Sequence, residues 1–333
     1  MLAWRGFHSL FAAFTLATAL QQHSRSGASS GRRPIWSYWS NGSPPPLVRL
    51  CLQSIEAHAG SQWELHTLTP DTAKDYVNAA DLPKAFEEMQ PSFQADALRL
   101  ALLRRHGGTW IDASSIILRD LASWVDKPLA SGKDFVGFYI DHYTAVGEPP
   151  LVASWAVAVR EPEQEVLVAW HNAYLQLWEN RTTEDGISDD KFFAGIDISG
   201  VDPLMQDYLN IELVLQAILQ RDPALQQDFM EHSLLLRSED TAYGLQATLG
   251  LTWMAQSKCA PVDNLYELLP VAARHAMEVT PLVKLRHQDR VWLATMSATT
   301  LLRKSDSVLG ALFMKSNLQL PDGADDGSDD ECS

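Results

Sequence analysis

The sequence predicts an α/β fold: a doubly wound, mostly parallel sheet flanked by helices, with a more helical C-terminal half. Three observations carry that prediction. Short β-type runs alternate with runs of helical period from residue 35 to residue 112. The connections between them are short, the pattern of parallel strands joined by crossover helices. A double glycine, Gly107-Gly108, turns a helical run directly into a strand-like one.

The elements follow in order. Ile35-Trp-Ser-Tyr-Trp39 is aromatic and β-prone, a first strand. Ser43 and three prolines precede Leu47, Cys51 and Ile55, whose spacing predicts a helix up to Gly60. Trp63-Glu-Leu-His-Thr-Leu68 alternates apolar and polar, and Asp71 is positioned to cap a short helix. Ser92 to His106 carries an apolar face, and Thr109-Trp-Ile-Asp112 resumes as a strand after the glycines. Further strands are predicted at Phe135–Ile140 and Ser154–Val159, and further helices near Glu163–Trp178 and Pro203–Gln220.

With 333 residues, 46% hydrophobic and 20% charged, the chain can bury a sizeable core, which excludes wholesale disorder and fibrous repeats. Acidic residues outnumber basic ones 42 to 26, a net charge of −16, so no basic stripe to neutralise a nucleic-acid backbone is expected. Three separated cysteines, Cys51, Cys259 and Cys332, exclude a zinc ribbon, an iron–sulfur cluster and a disulfide framework, leaving a single Cys51–Cys259 bridge open.

The ends differ from the body. Residues 1–33 hold four Arg and no acid, and an apolar run from Phe7 to Leu20 closes on Ala17-Thr18-Ala19, the layout of a cleavable secretory signal or a signal anchor followed by a stem. An organellar transit peptide is the remaining alternative. Residues 321–333 carry six acids and no base, a disordered tail. The sequons Asn41-Gly-Ser43 and Asn180-Arg-Thr182 fit a lumenal body at residues 34–320. The expected location is therefore the secretory pathway, in the Golgi lumen or membrane, with secretion as the alternative.

Direct search removes several chemistries. The chain has no GxGxxG after a strand, no Walker loop and no HExxH. Gly27-Ala-Ser-Ser-Gly31 matches a hydrolase elbow but lies in the stem, with no strand and helix around it. Asp96 and Arg99, three apart on one helix, share a face and can pair with each other or point together into a site. Asp112 would project at the carboxyl edge of the sheet, where ligands of open α/β sheets bind. A carboxylate there repels a bare diphosphate and is useful through a divalent cation or ribose hydroxyls.

The run Gln94-Ala-Asp-Ala-Leu-Arg-Leu followed by Arg-His-Gly-Gly-Thr-Trp-Ile-Asp-Ala-Ser114 resembles the central block of the capsular polysaccharide synthesis family, related to the DxD-motif sugar-binding glycosyltransferases of GT-A type. Ile35–Trp39 is similar to that family's first strand, Asp207-Tyr208 to its mid-chain Asp-Tyr, and Thr280-Pro-Leu-Val-Lys-Leu285 to its C-terminal signature. The resemblance implies a GT-A-like fold and a hexosyltransferase-like enzyme. It would move a sugar from a nucleotide-diphosphate sugar to a glycan, polysaccharide or other hydroxyl acceptor, with retention. It implies Trp36, Asp96, Arg99, Asp112 and Ser114 at the nucleotide and its phosphates, Lys284 at the diphosphate leaving group and Asp207 on the acceptor side. A divalent cation, Mn2+ or Mg2+, would sit on Asp112. Ser114 stands where the wider pattern has a second Asp, and Val283 where it has a His. Each exchange removes a metal ligand, so a metal-poor or metal-independent site is the alternative. The same losses fit a catalytically inactive lumenal module that binds carbohydrate or a partner. A metal-dependent hydrolase lacks the paired carboxylates it would need.

Overall fold

The computed structural model describes residues 31–249 and 278–287, with single positions at 290, 301, 312, 313, 315, 316 and 318. The chain divides into two units, Met1–Arg32 and Arg33–Ser333, and the architecture below belongs to the second. The signal or anchor expected at the N-terminus, the expected disordered tail, Cys259 and Cys332 lie outside the described residues. Cys51 is a buried, free thiol. Among the described residues no helix is long and apolar enough to cross a membrane.

Six strands form the main sheet: β1 (Arg33–Tyr38), β2 (Trp63–Leu68), β3 (Gly108–Ile111), β5 (Phe135–Tyr139), β6 (Val152–Val159) and β7 (Ser233–Arg237). Their order is β2-β1-β3-β6-β5-β7. β1 runs parallel to β2 and β3, and β5 parallel to β7, while β6 is antiparallel to both its neighbours. All but β6 therefore point one way, and the mostly parallel expectation holds. Separately, β4 (Ser115–Ile117) pairs antiparallel with β8 (Leu282–Lys284), placing Ser115 opposite Lys284 and Ile116 opposite Val283.

Helices cover both faces. Neighbouring residues of β1 feed opposite cores, Ile35 packing with Val48, Leu52 and Ile55 of α1 (Pro46–Ala59), and Trp36 with the core that holds Leu98 and Leu102 of α2 (Pro91–His106). The second core also takes Trp170 and Tyr174 of α3 (Glu165–Leu177), Leu213 and Leu215 of α4 (Asn210–Arg221), and Phe229 of α5 (Pro223–His232). Each such fully buried Leu, Ile or Phe contributes roughly 1.5–3 kcal/mol. All eight residues of β6 are buried, as befits a strand covered on both sides.

The double glycine is required by geometry. Gly107 and Gly108 have φ of 65° and 86°, and a Cβ on Gly108 would lie 2.3 Å from the Pro34 carbonyl oxygen. Only glycine accepts both conditions, so α2 passes into β3 without a loop. One cap differs from expectation: Thr69, not Asp71, caps the short helix Pro70–Ala73, its hydroxyl accepting from the Thr72 N–H. The helix expected over Pro203–Gln220 is interrupted, with a short turn at Pro203–Gln206 before α4 begins.

Candidate functional site

Where β3 ends, the chain delivers Asp112 to the carboxyl edge of the sheet, and its N–H donates to the Trp155 carbonyl at 2.9 Å. Side chains of β3 itself and of two other elements meet it there. Arg99 of α2 donates through Nη2 to Asp112 Oδ1 at 3.0 Å, and Trp110 Nε1 donates to the same oxygen at 2.8 Å. Lys284 of β8 approaches Oδ2 at 2.9 Å and donates to Ser114 Oγ at 2.7 Å. The strand pair β4–β8 brings Lys284 to this end of the sheet.

A second layer of contacts fixes Arg99. Its Nη1 donates to Asp96 Oδ1 at 2.5 Å and to Ser154 Oγ at 2.6 Å. Its guanidinium carbon lies 4.9 Å from the Trp110 ring centre. Ser154 donates its hydroxyl to Glu212 Oε1 at 2.6 Å and its backbone N–H to the same oxygen at 3.2 Å. Five sequence-predicted residues, Asp96, Arg99, Asp112, Ser114 and Lys284, thus meet in one cluster.

Burial would raise Asp112, but Lys284 and then Arg99 outweigh it, with Trp110 assisting, and the carboxyl is held well below the usual range. Burial lowers Lys284 against the pull of Asp112. Burial also dominates at Asp96, which rises to about 7 despite Arg99, and at Glu212, which rises despite Ser154 and Arg99. At Asp96 the neighbouring carboxylates Glu212 and Asp112 add to burial, against Arg99. Tyr208 is 50% exposed, and its hydroxyl is raised to about 12 by burial and by Asp96, Asp112 and Glu212.

Two predicted residues have other partners. Trp36 is 2% exposed, its Nε1 donates to the Gly107 carbonyl at 3.0 Å, and its ring packs among His66, Tyr76 and His106. It braces the glycine turn and leaves no open ring face for the nucleotide it was expected to contact. Asp207, expected on the acceptor side, instead clamps a loop. Its carboxylate accepts the Gly186 and Ser188 N–H groups, each at 2.9 Å, and the Ser188 hydroxyl at 2.6 Å. These bonds overcome burial and hold Asp207 below the usual carboxylate range.

The donor set does not fit the divalent cation expected on Asp112. Both its oxygens already accept from cationic groups, and Ser114 Oγ is taken by Lys284. Arg99 and Lys284, both cationic, also repel a divalent ion brought to the Asp112 carboxylate. Val283 pairs with Ile116 and is buried, offering no ligand. Among the described residues no group of three or more His, Cys, Asp or Glu is arranged to hold a metal ion.

Ser154 and Glu212 escaped the sequence reading, although each left a trace. Ser154 is a hydroxyl inside the apolar run Val152–Val159, and Glu212 is a single acid between Ile211 and Leu213-Val-Leu215. A polar group at such a position is buried and needs a partner.

The family described as capsular polysaccharide synthesis protein matches residues 11–187, just over half of the chain. An O-glycosyltransferase, PaGT, of Phomopsis amygdali is 28% identical over 167 residues, 46% of this chain and 40% of its own. The O-glycosyltransferase braB of Annulohypoxylon truncatum is 24% identical over 169 residues, 46% of this chain and 39% of its own. The match therefore spans about two fifths of the length of these curated relatives. The solved structure of the glycosyltransferase GlyE in Streptococcus pneumoniae TIGR4 overlaps 89% of this chain and 66% of its own at a TM-score of 0.33 and 10% identity, a loose overlap that defines neither fold nor function.

Proposed function

The chain belongs to the capsular polysaccharide synthesis protein family, and from that premise we propose that it is a glycosyltransferase moving a sugar from a nucleotide-diphosphate donor to a hydroxyl acceptor. The observation that carries this reading is Asp112 at the carboxyl edge of the sheet, gripped by Arg99 on one oxygen and Lys284 on the other. An anion-neutralising pair at that edge suits a ligand that carries both hydroxyls and phosphates.

Each residue has a separable task. Asp112, kept ionised by its neighbours, accepts a hydrogen bond from a hydroxyl of the donor at the position left on Oδ2. Asp96 and Arg99 hold that carboxylate in register, and Ser114 orients the ammonium of Lys284. An ammonium has three N–H donors. Among the described residues two of those of Lys284 are spent, on Asp112 and Ser114, and the third is available to a phosphate oxygen. As the bond between the anomeric carbon and the phosphate oxygen breaks, charge builds on the diphosphate. A fixed cation in a water-poor site opposes that charge most effectively at that moment. No step runs through a metal ion, since the residues do not fit one.

The acceptor is taken to be a glycan, polysaccharide or other hydroxyl compound, and the transferred sugar a hexose delivered with retention. The N-terminal pattern supports a setting in the secretory pathway, with residues 1–33 as signal or anchor. The experiment compares Asp112→Ala with wild type for UDP and GDP binding and for donor hydrolysis. At least tenfold weaker binding and lost turnover are expected. Equal binding and turnover would remove the assignment, and a wild-type protein that binds neither nucleotide would favour a non-catalytic binding module.

A further inference from the structure

Glu212 presents an energetic puzzle. It is 4% exposed, and its neighbours in the chain are apolar. An ion pair or carboxylate kept in such a place is usually no more stabilising than a well-packed hydrophobic group of the same size. The fold alone gives little reason to retain it.

The hydrogen-bond polarity around it supplies a reason. Arg99 can only donate, so Ser154 Oγ must accept from Nη1. The single hydroxyl proton of Ser154 is then free for Glu212 Oε1, which also receives the Ser154 N–H. The direction is thereby fixed along the chain Arg99 to Ser154 to Glu212. One end of Arg99 is tied to β6 and α4, and the other meets Asp112 at the sheet edge. A guanidinium is planar and rigid, so fixing Nη1 fixes Nη2 as well. Asp96, one turn away on the same helix, and the Trp110 ring also hold Arg99, and Ser154 is the contact that ties it to β6.

Resting on the glycosyltransferase reading, we propose that Glu212 is a positioning residue for the donor site, acting through Ser154 on Arg99 and so on Asp112. Glu212 touches no substrate; its effect is the orientation of the carboxylate that does. The chain of contacts crosses four elements, α4, β6, α2 and the end of β3, so a change on α4 reaches the sheet edge without any change in the residues lining it.

The test uses the full chain with UDP and GDP as probes, measured by calorimetry beside thermal melting. Glu212→Ala and Ser154→Ala are each expected to weaken nucleotide binding at least tenfold. The double variant should be no weaker than either single one, because both break one chain. Glu212→Gln keeps a carbonyl oxygen for Ser154 and should stay within about threefold of wild type. That rescue separates positioning from the loss of a charge. Should Glu212→Ala fail to fold, Ser154→Ala against Glu212→Gln carries the comparison. The proposal is overturned if Ser154→Ala binds like wild type, if the two alanine effects add, or if Glu212→Gln is as weak as Glu212→Ala. Those results leave the glycosyltransferase reading intact, whereas a wild type that binds neither nucleotide ends both.

Discussion

Lys284 Nζ stands 2.9 Å from Asp112 Oδ2 and 2.7 Å from Ser114 Oγ, joining the strand pair β4–β8 to the edge of the main sheet. The contact neutralises the one carboxylate a diphosphate would meet first. It also makes the site depend on a segment remote from it in sequence.

Lys284→Met keeps the length of the side chain and removes its charge. Turnover of a competent donor is expected to fall about 10² to 10³-fold, the usual loss when one stabilising donor at a developing oxyanion is removed. UDP affinity should fall by about tenfold. Steady-state kinetics beside calorimetry decide this, and turnover within threefold of wild type would dismiss Lys284 from the leaving group.

Chelation gives a second check. Since the cations around Asp112 oppose a divalent ion, EDTA should leave nucleotide binding and turnover within about twofold of the untreated protein. Added Mn2+ should restore nothing. A tenfold loss on chelation, reversed by Mn2+, would mean that the cluster rearranges to admit the ion.

Stability should depend on pH through Asp96, whose side chain is 11% exposed. Burial, aided by Glu212 and Asp112 and resisted by Arg99, lifts it to about 7. An unfolded Asp releases its proton near pH 4. Between about pH 4 and 7 the folded chain therefore holds a proton that the unfolded chain has lost. Stability falls as pH rises through that window, by at most about 1.4 kcal/mol per pH unit, and levels off above it. Asp112 works in the opposite sense: its depressed value gives stability that is present above about pH 4 and lost below it. Urea midpoints across pH 4 to 8 should show the descending limb in wild type and a flatter one in Asp96→Asn. An identical slope in both would remove Asp96 as its source.

Much of the architecture was legible because local chemistry enforces it. Trp63–Leu68 alternates and forms a strand over those same residues, and Gly107-Gly108 adopts two positive φ values that few other residues tolerate. Strand direction is different. Val152–Val159 reads as a buried strand either way, and its antiparallel course follows from connections and partners that periodicity does not encode. The three-residue strands β4 and β8 are too short for any period, so the pairing of Ser115 with Lys284 could not be read locally. Asp207 misled for a related reason: an Asp before a helix looks alike whether it meets a substrate or three donors from residues 186–188. The Asp96–Arg99 spacing was informative because one helical turn sets it. Their link to Ser154 and Glu212 spans 55 and 58 residues and belongs to packing.

The ammonium of the cluster arrives 170 residues after the serine it binds. A polypeptide made from its amino end exposes α2 and Asp112 to the cell well before Lys284 has been synthesised. Throughout that interval the nascent chain has Arg99 but lacks the group assigned to the departing diphosphate. On the proposed mechanism, half-made or clipped copies that lack β8 cannot spend nucleotide sugar. Onset of turnover would then coincide with the zipping of β8 onto β4.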